Sequence, residues 1–275
     1  MTSSFANLVA RRDLLWEITA SELRSSAQET RLGWLWWLID PLVTMMIYWA
    51  VVVGIFGRGG HYAPYPIFIL CAILPFKHFS SSMNASCKLL RKSGGLIKSV
   101  PFPTVVLPLS VVLSGFAFFL FGTAALLGAA WIAGRPISAA LTQLPALMTL
   151  QLLFVAGVSL GIAAVGALVR DLSGFMNHFT RIFFYVCPTL YGVDMVQERF
   201  SKGALLHGSP LADLLPTLFM LNPLAILFTG YRDAIFYGRF LEPQHWAVLT
   251  LECLVVFMLG YRIFLYFDRR VIKFL

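Results

Sequence analysis

The sequence predicts an all-α membrane protein with six transmembrane helices, and three observations carry that expectation. Hydrophobic residues make up 59% of the 275-residue chain and charged residues only 12%, with a mean hydropathy of +0.79, far from the composition of a soluble domain. Apolar runs of about 20 residues recur, and at about 1.5 Å per residue each can cross a hydrocarbon core of about 30 Å. The runs are continuous, as helices that satisfy their own backbone require, and lack the alternation of barrel strands.

Residues 5–28 place Leu8, Leu15, Ile18 and Leu23 at helical spacing among Arg11, Arg12, Arg24 and several acids. That is an amphipathic helix too charged to span, expected to lie along the membrane or on a cytosolic partner, with Trp16 at headgroup level. It lacks the long apolar core and small-residue cleavage site of a signal peptide, so insertion is expected to begin with the first span. That span, 33–56, opens on an aromatic belt of Trp34, Trp36 and Trp37, and Pro41 breaks or kinks it near its start. Asp40 at this depth needs a partner, and Arg31 before it is the candidate.

The second span, 67–87, contains the run LPFKHF. Lys77 and His78 near its middle are costly unless they face a wet or paired environment. Two readings stand: cations that line a conduit and touch an anionic substrate, or a lysine that snorkels or is hydrogen-bonded. A basic stretch follows, with Lys88, Arg91, Lys92 and Lys98 and no acid. Within it LIKSV can form a short helix with Leu96, Ile97 and Val100 on one side, delimited by Gly94, Gly95, Pro101 and Pro103. It is either a turn that fixes topology or a docking helix for a soluble partner.

The third span covers 105–133, GRPIS makes a tight return, and the fourth, 144–168, carries Gly157, Gly161 and Gly166 for close helix contact. The fifth, 175–195, has Arg181 near its start and Pro188 midway. Residues 197–245 are too polar and too interrupted for a crossing. Within them 210–237 is expected to form two short re-entrant helices joined near Asn222 and Pro223, with Arg232 and Asp233 as a charge pair at the outer interface. The sixth span, 246–267, contains Glu252. Lys and Arg concentrate before the first span, after the second and in the tail at Arg269, Arg270 and Lys273, which puts both termini in the cytoplasm.

The formal charge of +8 is explained by this orientation and by anionic headgroups, with no nucleic acid implied. Cys71, Cys87, Cys187 and Cys253 are scattered and read as small hydrophobes, with no metal site. No phosphate-binding loop, dinucleotide fingerprint or nucleophile with its base is present, so the chain is not expected to be an enzyme. A transporter without an engine uses an ion gradient or borrows ATP hydrolysis from another chain, and a docking helix fits the second.

The segments RLGWLWWLIDPLV, PIFILCAILPFKHF, LIKSVPFPTVVLPLS, VRDLSGFMN, CPTLYGV and LNPLAILFTGYRDAIFYGR, in this order over nearly the whole chain, resemble the permease subunits of ABC exporters for cell-surface polysaccharides. That family moves lipid-linked O-antigen, capsular polysaccharide or wall teichoic acid across the bacterial cytoplasmic membrane. The resemblance implies a homodimer above two separate ATPase subunits, which hold the ATP and Mg, and no cofactor on this chain. It implies an interfacial helix around Trp16, with Trp34, Trp36 and Trp37 as anchors. It implies a coupling helix with Leu96, Ile97, Lys98 and Val100, and periplasmic gate helices at 210–237. Candidate channel or gate positions are Lys77, His78, Tyr191, Asn222, Arg232 and Asp233. Lys77 and His78 depart from the family, where apolar or aromatic residues are expected. Aromatic residues at 15% suit a wall on which sugar rings stack, although much of that content belongs to belts and core. The alternatives are a permease for a hydrophobic small molecule or drug, and a gradient-driven transporter, which would call for paired intramembrane carboxylates and an inverted repeat.

Overall fold

The computed structural model describes residues 12–28, 33, 35–55, 57, 62–99, 103–135, 137–196 and 219–274. Among these every regular element is a helix. In chain order they are α1 (Arg12–Gln28), α2 (Leu35–Trp49, continued by a π turn at Ala50–Ile55), α3 (Tyr65–Lys92) and α4 (Gly94–Ser99). Then come α5 (Val106–Ile132), α6 (Leu144–Leu168, entered through a 3-10 turn at Ala139–Gln143) and α7 (Leu172–Val186). The last are α8 (Pro223–Arg232, continued by a π turn at Asp233–Tyr237) and α9 (Pro243–Phe274).

Among the described residues five stretches are long and apolar enough to cross a membrane: Leu35–Ile55, Tyr65–Lys92, Val106–Ile132, Ala139–Leu168 and Pro243–Phe267. The fifth stretch expected from sequence, 175–195, contains instead the 15-residue α7 followed by turns from Cys187. At about 22 Å, α7 is shorter than the roughly 30 Å hydrocarbon core. The helix α8 has 10 residues, half of what a crossing needs.

The bundle is organised around α3, which packs on α2, α5, α6, α7 and α8. Its sequence is apolar nearly all round through Ile67–Phe76, the pattern of a helix enclosed by others. Phe68, Leu147 and Phe228 are fully buried around it. The crossing of α6 and α9 is the closest: a Cβ on Gly260 would collide with the Gly157 carbonyl, and one on Gly157 with the Phe257 backbone. Between helices in lipid such contact is a main source of attraction, since the tails are as apolar as the side chains. Gly166 likewise lies against the Cys87 carbonyl, and Gly161 against Gly260.

The amphipathic α1 packs along α5. Its Ile18 joins the cluster of Leu89, Leu107, Leu160 and Phe264, and Thr19 is buried with its hydroxyl on the Leu15 carbonyl at 2.7 Å. Trp16 points away, 73% exposed, on the side left for a membrane surface. All four cysteines are free and buried, as small hydrophobes would be.

Candidate functional site

Between α2, α3 and α7 lies a groove of about 680 Å³. From α2 it takes Asp40, Thr44 and Tyr48; from α3 Lys77, Ser80 and Asn84; from α7 Asn177, Thr180, Arg181 and Tyr185. Spacings of three and four along α3 and α7 put each set on one helix face. Two polar stripes on otherwise apolar helices thus face one another.

Lys77 Nζ donates to Asp40 Oδ2 and lies over the Trp37 ring, its nitrogen 5.8 Å from the centroid. Asp40 therefore has Lys77 as its partner where the sequence suggested Arg31, which lies outside the described residues. The Tyr48 hydroxyl donates to that of Tyr185 at 2.9 Å, with the Tyr48 ring stacked on Phe184. Asn84 Nδ2 donates to the Ser80 carbonyl at 2.9 Å and approaches Thr180 Oγ1 at 3.4 Å. Arg181 is exposed on this face. A groove so lined offers donors, acceptors and aromatic faces at once, which is the chemistry that sugar hydroxyls and rings can use.

His78 departs from the conduit expectation. One residue from Lys77, it points away from the groove and is buried against α5 and α6. Tyr231 of α8 donates to Gln151 Oε1 at 2.6 Å, so the Gln151 amide faces His78 Nδ1 at 3.0 Å. His78 Nε2 then carries the proton and donates to the Val112 carbonyl at 3.2 Å. The chain of bonds joins four helices in a dry interior, where satisfied polar groups specify one packing.

Arg232 also departs from its expectation. It is buried, and its guanidinium donates to the carbonyls of Phe68, Pro188, Thr189 and Tyr191 at 2.7 to 3.3 Å, lying over the Phe68 ring. Asp233 pairs with Arg239 at 2.7 Å, and not with its neighbour Arg232. Burial pushes the Asp233 carboxyl up, and Arg239 pulls against that shift. Asn222 caps α8, accepting from Leu224 N at 3.1 Å. The Tyr191 hydroxyl donates to the carbonyls of Val186 at 2.9 Å and Tyr185 at 3.3 Å, closing the end of α7. Arg135, in the turn after α5, donates to the Ala63 and Phe236 carbonyls. Nearby, Tyr62 donates to Asp194 at 3.0 Å, and burial together with that carboxylate pushes its phenol up. These residues form a brace around α8, at the end of the bundle opposite α4.

At the α4 end, Leu96 is exposed, whereas Ile97 packs back onto the cluster that includes Leu89 and Leu90. The two therefore do not share one outward face. Lys98 is exposed, and Arg91 reaches across to donate to the Arg170 carbonyl at 3.3 Å. Val100 and Trp34 lie outside the described residues. Trp36 is exposed, and Trp37 stacks on Phe118 at 4.2 Å. Glu252 stands apart from the groove, with Oε2 unpartnered among the described residues.

No family model matches the chain. It is similar to two O-antigen export system permease proteins RfbA, one of Klebsiella pneumoniae at 27% identity over 92% of this chain and 91% of that protein. The other, of Myxococcus xanthus, is 25% identical over 90% and 89%. The polysialic acid transport protein KpsM of Escherichia coli is 20% identical over 87% of both. The chain is a relative of the polysaccharide-export permeases. Similarity over about nine tenths of the chain, with five helices among the described residues able to cross a bilayer, makes it a multi-pass protein of the bacterial cytoplasmic membrane. Of the groove residues, Arg181 stands out in the sequence only as a charge near the start of its span, and Asn84, Asn177 and Thr180 do not stand out at all, although polar residues recurring on one face of an apolar helix are the signal that finds them.

Proposed function

We propose that this chain is the conduit-forming subunit of an ATP-driven exporter that moves a lipid-linked polysaccharide out of the cytoplasm. The groove carries the reading. Asp40, Lys77 and Arg181 on helices otherwise fit for lipid are tolerable only against water, protein or a polar cargo. Two copies with their grooves opposed enclose a pore wide enough for a sugar chain, with hydroxyls and amides to exchange for water and Tyr48 and Tyr185 to stack on rings. ATP and Mg belong to a separate ATPase that docks on α4 through Leu96, and this chain needs no cofactor of its own. In this arrangement both termini are cytoplasmic. The end of α7 and the turns after it complete a sixth crossing, while α8 enters the outer leaflet and returns.

The test is a strain lacking this chain. It should accumulate lipid-linked glycan on the cytoplasmic side and show none at the surface, with synthesis unchanged. Wild-type chain should restore export, and Thr44→Trp, which fills the groove, should not. Normal surface glycan in the deletion strain would sink the reading.

A further inference from the structure

Arg181 differs from Lys77 and Arg232 in having nothing to bind. Lys77 is neutralised by Asp40, and Arg232 is consumed by four carbonyls. Arg181 has no hydrogen bond or ion pair among the described residues, lines the groove, and is exposed. It sits about 14 Å along α7 from Leu172, well inside the helix. With Asp40 and Lys77 cancelling, the groove carries a net charge of +1 from the residues that line it.

An unpaired guanidinium at that depth needs water or an anion. Its planar fork of donors fits the two oxygens of a carboxylate or phosphate better than it fits a hydroxyl. Asn177 lies one turn back on α7 and Asn84 across the groove, and both line it with amides that can complete the shell around an oxyanion. We infer that Arg181 is the specificity-determining residue of the groove and selects a cargo bearing an oxyanion. The inference rests on the conduit reading and adds the chemical class of the cargo. The oxyanion belongs to the repeating unit, as a uronic-type carboxylate or phosphodiester, or to the phosphate that joins glycan to lipid.

The experiment uses the full exporter, this chain with its ATPase, in phosphatidylcholine vesicles that carry no net lipid charge. Two probes share one lipid phosphate: an oligosaccharide of neutral hexoses, and its counterpart with each hexose replaced by the hexuronic acid. Selection on the repeat predicts that wild type moves the acidic probe about tenfold faster or more, the worth of a charge-assisted hydrogen bond. Arg181→Gln should then bring the two rates within about twofold of one another, and Arg181→Lys should keep part of the preference. If Arg181→Gln slows both probes by one factor and Arg181→Lys restores both, the oxyanion is the lipid phosphate and the inference stands. Equal slowing that Lys does not rescue, or unaltered transport in Arg181→Gln, overturns it. Unfolding midpoints that match wild type would show that the variants are folded. Wild type that moves neither probe, with its ATPase bound and active, overturns the conduit reading and this inference together.

Discussion

The brace around α8 and the groove beside α2 are both made of polar side chains on apolar helices, and they are held in opposite ways. In the brace and the interior network beside it, Arg232, His78, Gln151 and Tyr231 are almost wholly buried, and their donors meet acceptors at 2.6 to 3.3 Å. In the groove, the Lys77 and Asp40 side chains keep 31% and 56% of their exposure. Low dielectric makes a satisfied buried network strong and an unsatisfied one costly, so the brace has one arrangement. A part-exposed pair gains little from being closed, so the Lys77–Asp40 bond itself adds little to the packing of α2 on α3. The fold thus fixes the brace while leaving a polar wall open to solvent.

The largest effect is expected at Arg232. Replacing it with Gln leaves at least two of four buried carbonyls without a donor and empties the space over the Phe68 ring. The expected loss of stability is about 3 kcal/mol or more, at roughly 1 to 3 kcal/mol for each orphaned group. The thermal midpoint of the detergent-purified chain reads it. A midpoint within error of wild type would mean that the brace does not hold α8.

Lys77 and His78 show how far sequence could reach. Both were legible as misfits in an apolar run, but the run is apolar nearly all round, so no hydrophobic face said which way either should point. Being adjacent on a helix sets them about 100° apart, and only the placement of α5, α6 and α8 decides which one is interior. The helices themselves were legible because each is long and continuous. The end of α7 was harder: Phe175 to Met195 reads as one apolar stretch, yet the carbonyls of Pro188, Thr189 and Tyr191 turn inward to Arg232, 41 to 44 residues away in sequence. Arg135, Arg232 and Arg239 weaken the charge asymmetry when merely counted. Each is bound to backbone or to Asp233 at the α8 end and does not act as a free charge.

The groove should respond in the other sense. Asp40→Asn or Lys77→Ala is expected to shift stability by no more than about 1 kcal/mol, as for other exposed pairs, while lowering export. Exchanging the two residues, Asp40→Lys with Lys77→Asp, restores the pair with its polarity reversed. Export recovered in the double variant means that holding α2 to α3 is what matters; export still low means that the cargo reads the position of the positive charge. A fall in midpoint as large as that of Arg232→Gln would erase the distinction between the two regions.

The smallest effect on stability, and the sharpest on function, is expected at α4. Leu96 is 48% exposed and Ile97 packs inward, so two adjacent apolar residues again face different solvents. Leu96→Asp should leave the thermal midpoint within about 0.5 kcal/mol of wild type, as for surface substitutions generally, yet weaken co-purification of the ATPase and uncouple its hydrolysis from export. Ile97→Asp places a charge against Leu89 and Leu90, and should cost both midpoint and coupling, since burying an unpaired carboxylate disturbs the helix that carries it. The ratio of coupling loss to stability loss separates the cases: high for Leu96, where the side chain meets a partner, and low for Ile97, where it meets its own chain. If Leu96→Asp binds the ATPase and exports normally, α4 is a turn that fixes topology, and the docking face must be sought elsewhere on the basic end, beginning with the contact between Arg91 and the Arg170 carbonyl.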